Sequence, residues 1–387
     1  MKKIFEKIKR NGQEFAGRFP HSQMNGEGKY VLSNGGHWTD GFYVGVFNLA
    51  YVLTGDEEFR TLAKQYDDFF ALRIQNTDEI NKANNFLKLD HDVGMIFLPS
   101  IGFNYSVEKN EHDKEILIKA ADVLAERFNE KGKFIRAWDT WEWDTDEAFI
   151  REKKGKVIID SMLNIPLLFK ASEITGNQKY YDIALKHANT MATHIVREDY
   201  STYHTYNFDY QTGKAIGGKT AQGYHDESCW SRGQSWAVYG FALAYKYTGC
   251  ERFLDISQKT AEYFMEHLNA VDMPCWDFDA SNEIFAPWDS SAAVICASGL
   301  LEIHELTGKQ KYYDYATRLI KAVEQFCLTT SYDACQPLII HGCSGTAYSK
   351  DKPELLKVPN IGQALVYADY FYMECLLKMS KHKVRIF

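Results

Sequence analysis

Positive charge is in short supply in this 387-residue chain. Its 44 Lys and Arg stand against 52 Asp and Glu, a net charge of −8. That argues against a nucleic-acid partner, because phosphate backbones are met by a basic face. A small anionic substrate stays open, since one or two cations in a pocket suffice. Long apolar runs are missing too, so no membrane span is expected. Met1 to Phe15 interleaves Lys and Arg with Phe and Ile at helical spacing and reads as no signal peptide. All eight Cys fall between Cys229 and Cys375 with no C-x-x-C pair and no regular spacing. They read as reduced thiols of a cytoplasmic protein, or a periplasmic one if a leader has been removed. The twelve His form no H-E-x-x-H, no loop has calcium-site spacing, and no P-loop Lys-Ser/Thr follows the turn at Gly217. Neither a metal nor a cofactor is therefore expected. Nothing linker-like divides the chain, which is read as one domain over 1–387, a monomer or weak homo-oligomer.

What the chain has in quantity is aromatic rings, 24 Tyr, 24 Phe and 8 Trp. They serve a core, or faces for stacking on sugars. A second feature is punctuation. Apolar-periodic segments end in Thr54-Gly55, Thr175-Gly176, Thr248-Gly249 and Thr307-Gly308, each soon followed by an aromatic: Phe59, Tyr180, Phe253 and Tyr312. Gly just past a helix end takes the left-handed conformation that closes the last turn. The segments EITGNQKYYDIA (173–184) and ELTGKQKYYDYA (305–316) nearly superimpose, a degenerate internal repeat. The pattern predicts helices near 1–16, 39–53, 57–73, 92–106, 112–128, 159–174, 177–196, 229–247, 250–268, 289–306, 309–326 and 361–379. Long loops rich in Gly, Trp and Asp (129–158, 197–228, 269–288, 328–360) separate the hairpins. The simplest architecture is all-α, a ring of six hairpins forming an (α/α)6 barrel. An open α-solenoid or two bundles also fit the pattern.

Asp92, in LDHDVGMIFLPS, and Asp160, in VIIDSMLNIPLLF, each begin a predicted helix. Either could be a cap. The apolar flank of Asp160 suits a desolvated general acid, and two Asp facing one barrel mouth would raise each other's pKa. The densest cluster is GGKTAQGYHDESCWSRGQSW, Gly217 to Trp236, where Arg232 and Trp236 share a helix face. A guanidinium fork beside an indole can seat a carboxylated sugar; a surface Arg with core Trp is the alternative. His204, Trp38 with Asp40, Trp138, Trp141 and Trp143, and the stretch from His341 through Ser344 occupy polar or aromatic loops.

The segments GGHWTDGF, DHDVG, IIDSMLNIPLL, GKTAQGYHDESCWSRGQSWAVYGF and WDSSAAVICASGLLEI together resemble the unsaturated glucuronyl hydrolases, glycoside hydrolase family 88, from about Gly36 to Glu374. The resemblance implies Asp160 as general acid then base and Asp92 as the second catalytic carboxylate. It implies that Gly218, Thr220, Arg232 and Trp236 bind substrate, that His204 and Gln222 line the site, and that Trp38 and Trp138 stack on sugar. The substrate would be an oligosaccharide ending in a 4,5-unsaturated uronate. Asp160 would protonate C4 of the vinyl ether, then deprotonate the water that adds at C5. Two stretches depart from the family: Ser344, Ser349 and Lys350 lack the spacing of its Ser-x-x-Ser-x-Lys loop, and Tyr367-Ala368-Asp369 replaces its Trp-Gly-Asp. A pectin-directed unsaturated rhamnogalacturonyl hydrolase, a sugar epimerase and a non-catalytic glycan-binding barrel are the competing readings.

Overall fold

The computed structural model describes residues 1–140, 144–280, 286–350, 357–380, 382 and 384–387. Six inner helical segments form a closed ring: Asp40–Thr54, Val93–Phe97 continuing to Glu108, Ile159–Leu163 continuing through Pro166–Thr175, Ser231–Thr248, Ser290–Thr307 and Val366–Met379. Lys2–Phe15, Glu57–Lys64 with Asp67–Arg73, Glu111–Ala125, Gln178–His194, Glu251–Glu266 and Gln310–Phe326 pack outside them. Tyr370 of the last inner helix meets Phe42 of the first, with ring centroids 5.0 Å apart, and closes the barrel. No helix is long and apolar enough to cross a membrane among the described residues.

Inner and outer helices differ in their sequences for a physical reason. An inner helix touches protein on every side, so Ser231 to Ala244 and Ser290 to Ile303 are buried without a break. Outer helices bury one stripe, as Phe253, Leu254, Ile256, Ser257, Thr260 and Ala261 do. The ring is narrow because glycines face the neighbouring helix. A Cβ on Gly41 would lie 2.1 Å from the Ile96 carbonyl, on Gly94 2.5 Å from Asn164, on Gly240 2.4 Å from Met162, and on Gly45 2.6 Å from Tyr370. Each Thr-Gly turn behaves as read. Gly55, Gly176, Gly249 and Gly308 take φ of 69°, 71°, 67° and 69°. Each preceding Thr hydroxyl donates back into its helix, as Thr54 does to Ala50 at 2.7 Å.

Three departures have local causes. The predicted helix 92–106 contains a wide turn over Leu98–Gly102, because Pro99 has no N–H to give its helix, and Asn48 donates to the Pro99 carbonyl at 2.9 Å. The predicted start at 361 moves to Val366, because Gly342 and Gln363 exchange backbone hydrogen bonds in a short bridge. The long loops are not all irregular. They hold the helix Glu147–Lys154 and the antiparallel sheet of Lys156–Ile158, Thr205–Phe208 and Ala215–Lys219, and a hairpin of Phe19–Met24 with Tyr30–Ser33 precedes the ring. These strands are short and irregular in register, too weak a period-2 signal to read from sequence.

Candidate active site

All six inner segments bring their N-terminal ends to one mouth. Trp38 and Thr39 precede the first, Asp92 the second, Asp160 lies in the first turn of the third, and Arg232 in that of the fourth. Asp289 caps the fifth, and Tyr367 opens the sixth. A cavity of about 300 Å³ lies there, lined by Trp38, Asp160, Gln222, Arg232, Ser344 and Tyr367, among others. Helix N-termini present unpaired N–H groups and positive partial charge, so this end favours an anion.

Neither Asp is a cap. Asp92 occupies the cap position of Val93–Phe97 without a side-chain bond to that helix, and Asp160 caps nothing. Instead Asn164 joins them. Its Nδ2 donates to Asp92 Oδ1 at 3.3 Å and to the Asp160 carbonyl at 3.2 Å, and its Oδ1 accepts from Met95 N at 2.8 Å. Asp160 Oδ1 is buried without a hydrogen-bond partner. Burial pushes the Asp160 carboxyl up to about 6, against the opposing pull of His91 and Arg232. Burial pushes Asp92 further, to about 7, with His91 opposing and Asp90 and Asp160 adding to the rise. Desolvation lifts Asp160, as its apolar flank led one to expect, and the charge of Asp160 adds to the rise of Asp92.

Arg232 is neither on the surface nor beside Trp236. It is 3 % exposed, and Nη1 meets the Asp289 carboxylate and, at 2.8 Å, the Cys343 carbonyl. Nη2 donates to Gln222 Oε1 at 3.0 Å, and the guanidinium lies 4.5 Å from the Trp230 ring. Trp236 is 0 % exposed, packs on Phe371 at 5.6 Å, and leaves its Nε1 without a partner. The four-residue spacing put it on the face shared with Arg232, but one turn deeper in the barrel. Trp230 and Tyr367 supply the rings at the mouth.

The remaining candidates divide. Gln222, Trp38 and Ser344 line the cavity. His204 is buried behind it, its ring 4.2 Å from Trp230 at a 39° tilt, its Nδ1 accepting from the Ala221 and Gln222 amides at 3.0 and 3.2 Å. Burial drives its imidazole down to about 3, so it is a neutral peg for the Gln222 turn. Thr220 buttresses the same turn, accepting from Gly223 N at 2.8 Å. Gly218 sits in the strand Ala215–Lys219, outside the cavity lining, where a Cβ would lie 2.2 Å from Tyr203. Trp138 lines a separate hollow with Lys88, Asp90, Asp139 and Lys153, its ring 6.3 Å from His91. Trp141 and Trp143 lie outside the described residues.

Sequence reasoning missed Asn164, His91 and Asp289. Asn164 had a signal, four residues after Asp160 on one face. Asp289 begins a segment already singled out, but its pairing with Arg232 across 57 positions left no trace. Asp90, His91 and Asp92 bring ligand atoms within 4.8 Å of one another. Asp90 Oδ1 already accepts from Asp92 N at 3.0 Å, and His91 Nδ1 lies 3.0 Å from the Ala137 carbonyl. Those engagements read as a proton-sharing network rather than a cation site.

A family model described as Glycosyl Hydrolase Family 88 matches residues 8–277. The chain is 33% identical to an unsaturated glucuronyl hydrolase of Bacillus sp. (strain GL1), over 96% of this chain and 93% of that protein. It is 30% identical to an unsaturated chondroitin disaccharide hydrolase of Streptococcus pneumoniae, covering 98% and 90%. The crystal structure of the Bacillus enzyme, described as responsible for the degradation of glycosaminoglycan, matches with a TM-score of 0.86 at 33% identity, covering 98% of this chain and 96% of that one.

Proposed function

Since the chain belongs to glycosyl hydrolase family 88, we propose that it releases the 4,5-unsaturated uronic acid from the non-reducing end of lyase-made glycosaminoglycan fragments. It is a glycoside hydrolase on an (α/α)6 barrel. The observation that carries the reading is Asp160: a carboxyl lining the cavity, raised to about 6 by burial, with one oxygen free of any partner. Such a group keeps its proton well above the pH at which an ordinary carboxyl loses it, and can give it up.

The substrate is a vinyl ether, so the reaction starts at the double bond and not by displacement at the anomeric carbon. Asp160 gives its proton to C4, and positive charge spreads over C5 and the ring oxygen. A water adds at C5 and returns a proton to Asp160. The hemiketal opens and the glycosidic bond breaks. Arg232 and the helix N-termini favour the uronate carboxylate at the mouth, and Trp38 offers a face for the ring. Arg232 also keeps Asp160 from rising further, which makes its carboxyl the stronger acid for the proton transfer to C4.

The whole length 1–387 works as one barrel unit in this reading. All eight cysteines are free thiols, which supports a reducing cytoplasmic setting. The test is a panel of unsaturated disaccharides from chondroitin, hyaluronan and heparin, followed by loss of the double-bond absorbance. Reaction in heavy water should place deuterium at C4 of the product. Unchanged absorbance across the panel, or a product without deuterium, overturns the reading.

A further inference from the structure

His91 is the buried titratable group beside the two carboxyls that this chemistry leaves unused. It is 1 % exposed and precedes Asp92 in the turn leading into Val93–Phe97. Its Nδ1 lies 3.0 Å from the carbonyl oxygen of Ala137. A carbonyl can only accept, so Nδ1 carries a hydrogen and the tautomer is set. Arg127 fixes that carbonyl by donating to it at 2.7 Å and is itself held by Asp139 at 2.8 Å. Nε2 is therefore the nitrogen that can gain a proton, and it lies 3.3 Å from Asp92 Oδ1. No polar atom among the described residues makes an aligned hydrogen bond to it. The approach to Asp92 is long and off-axis, as catalytic contacts often are before substrate is bound.

We propose that His91 is the positioning residue and proton partner of Asp92. This rests on the reaction assigned above. In the resting site one proton lies on Asp92 Oδ1 facing the free Nε2. When Asp160 protonates C4, positive charge grows at C5. The Asp92 O–H bond then breaks, the proton bonds to Nε2, and the site holds a carboxylate against the developing cation and an imidazolium against Ala137. After water has added and Asp160 has recovered its proton, the imidazolium returns the proton to Asp92. No atom or electron is consumed. The groups facing His91 permit the exchange. Asp90 lies 3.6 Å from Nδ1, and Asp92 and Asp160 both feel the imidazolium as a stabilising charge. His187 and His204, its other ionisable neighbours, are pushed down to about 3 by burial and stay neutral. His187, by contrast, has both nitrogens engaged, Nδ1 accepting from Ile135 N at 3.0 Å and Nε2 lying 2.7 Å from Ser161 Oγ.

Two variants separate the nitrogens. The amide of His91→Asn can reproduce the bond to Ala137 but leaves Asp92 alone. His91→Gln can reach Asp92 but cannot accept its proton. Both are expected to lose kcat on the order of 10²-fold with KM little changed, and to lose the pH–rate limb that Asp92→Asn also removes. The double variant His91→Asn/Asp92→Asn should be no slower than Asp92→Asn. Wild-type kcat and pH profile in either variant, a rise in KM alone, or losses that multiply in the double variant would overturn the proposal. Should both variants fail to fold, imidazole ¹⁵N shifts of the wild-type protein decide. Nδ1 protonated and Nε2 a bare acceptor in the resting enzyme supports the proposal, and an Nε2–H tautomer refutes it. If the wild type itself consumes no unsaturated disaccharide, the functional reading fails instead.

Discussion

Asn164 donates to Asp92 across 72 positions of sequence, at 3.3 Å, and so fixes the second carboxyl against the segment that carries the first. The same side chain accepts from the buried Met95 N at 2.8 Å, and the Asn164 backbone leaves no room for a Cβ at Gly94. One residue thus joins two inner segments, holding the Asp92 carboxyl beside the backbone of Asp160.

Asn164→Asp separates these duties. It keeps the acceptor for Met95 N and replaces the donor with a third carboxyl. The added charge raises both neighbouring carboxyls, so the pH–rate profile of kcat should move upward. Asn164→Ala should instead lose about 1–3 kcal/mol in urea denaturation, because Met95 N is left unpaired in the core. An Asp variant with an unshifted profile would show that Asn164 has no electrostatic part.

Asp160→Asn should lower kcat on the order of 10²–10⁴-fold and yet stabilise the fold at neutral pH. Burial raises this carboxyl from 3.8 to about 6. A carboxyl raised by folding binds its proton more tightly when folded, so its ionisation opposes the fold. The penalty is absent below about pH 4, grows toward pH 6, and is complete above it, at roughly 2–3 kcal/mol. Urea denaturation should find the variant more stable than the wild type near pH 8 and equal near pH 4. A variant less stable at both would mean that Asp160 has a structural partner.

The two carboxyls are coupled, and burial raises both above the ordinary carboxylate range. Asp92→Asn should lower activity strongly. Asp160→Asn should lower activity too and bring the Asp92 carboxyl down, because a charge that raised it is gone. Carboxyl ¹³C shifts over a titration measure this. An Asp92 carboxyl unmoved in the Asp160 variant would show that the two do not share a field.

Much of this was legible in the sequence because it repeats. Thr-Gly turns at Gly55, Gly176, Gly249 and Gly308 recur with one geometry, and apolar periods of 3.6 residues carried the helix pairs. Asp160 stood out as a charge amid apolar neighbours, and Arg232 as the cation within the densest polar and aromatic cluster. The depth of Trp236 was not legible, because spacing gives the face of a helix and not the position along it. Pairings such as Arg232 with Asp289 and His91 with Ala137 arise from closure of the ring, which no local pattern records. The strands at Thr205–Phe208 and Ala215–Lys219 were hidden by four- and five-residue lengths and a shift in register.

Arg232 should tolerate neither of its simple replacements. Arg232→Ala leaves Asp289 buried at 0 % exposure without its cation, a change expected to remove about 3–5 kcal/mol of stability. Arg232→Lys keeps a charge but cannot serve Asp289, the Cys343 carbonyl and Gln222 from one planar fork. The Lys variant should fold, lose at least about tenfold in kcat/KM, and show Asp160 higher than in the wild type, because a withdrawn cation stabilises the carboxylate less. A Lys variant with wild-type kinetics would reduce Arg232 to a strut for Asp289.

Trp38 gives the plainest test of sugar stacking. Its ring lines the cavity and leans on Tyr367 at 4.9 Å, 36° from parallel, so one face is braced and the other turns to the mouth. It makes no hydrogen bond to either carboxyl, and its removal should leave the proton transfers intact. Trp38→Ala is therefore expected to raise KM roughly 5–30-fold, about 1–2 kcal/mol of lost apolar contact. The kcat should fall far less, and Trp38→Phe should recover most of the affinity. Steady-state kinetics on one unsaturated disaccharide separates the two parameters. A fall in kcat at constant KM would mean that Trp38 shapes the carboxyl pair through Tyr367, which also faces Arg232 at 5.6 Å, and not the sugar.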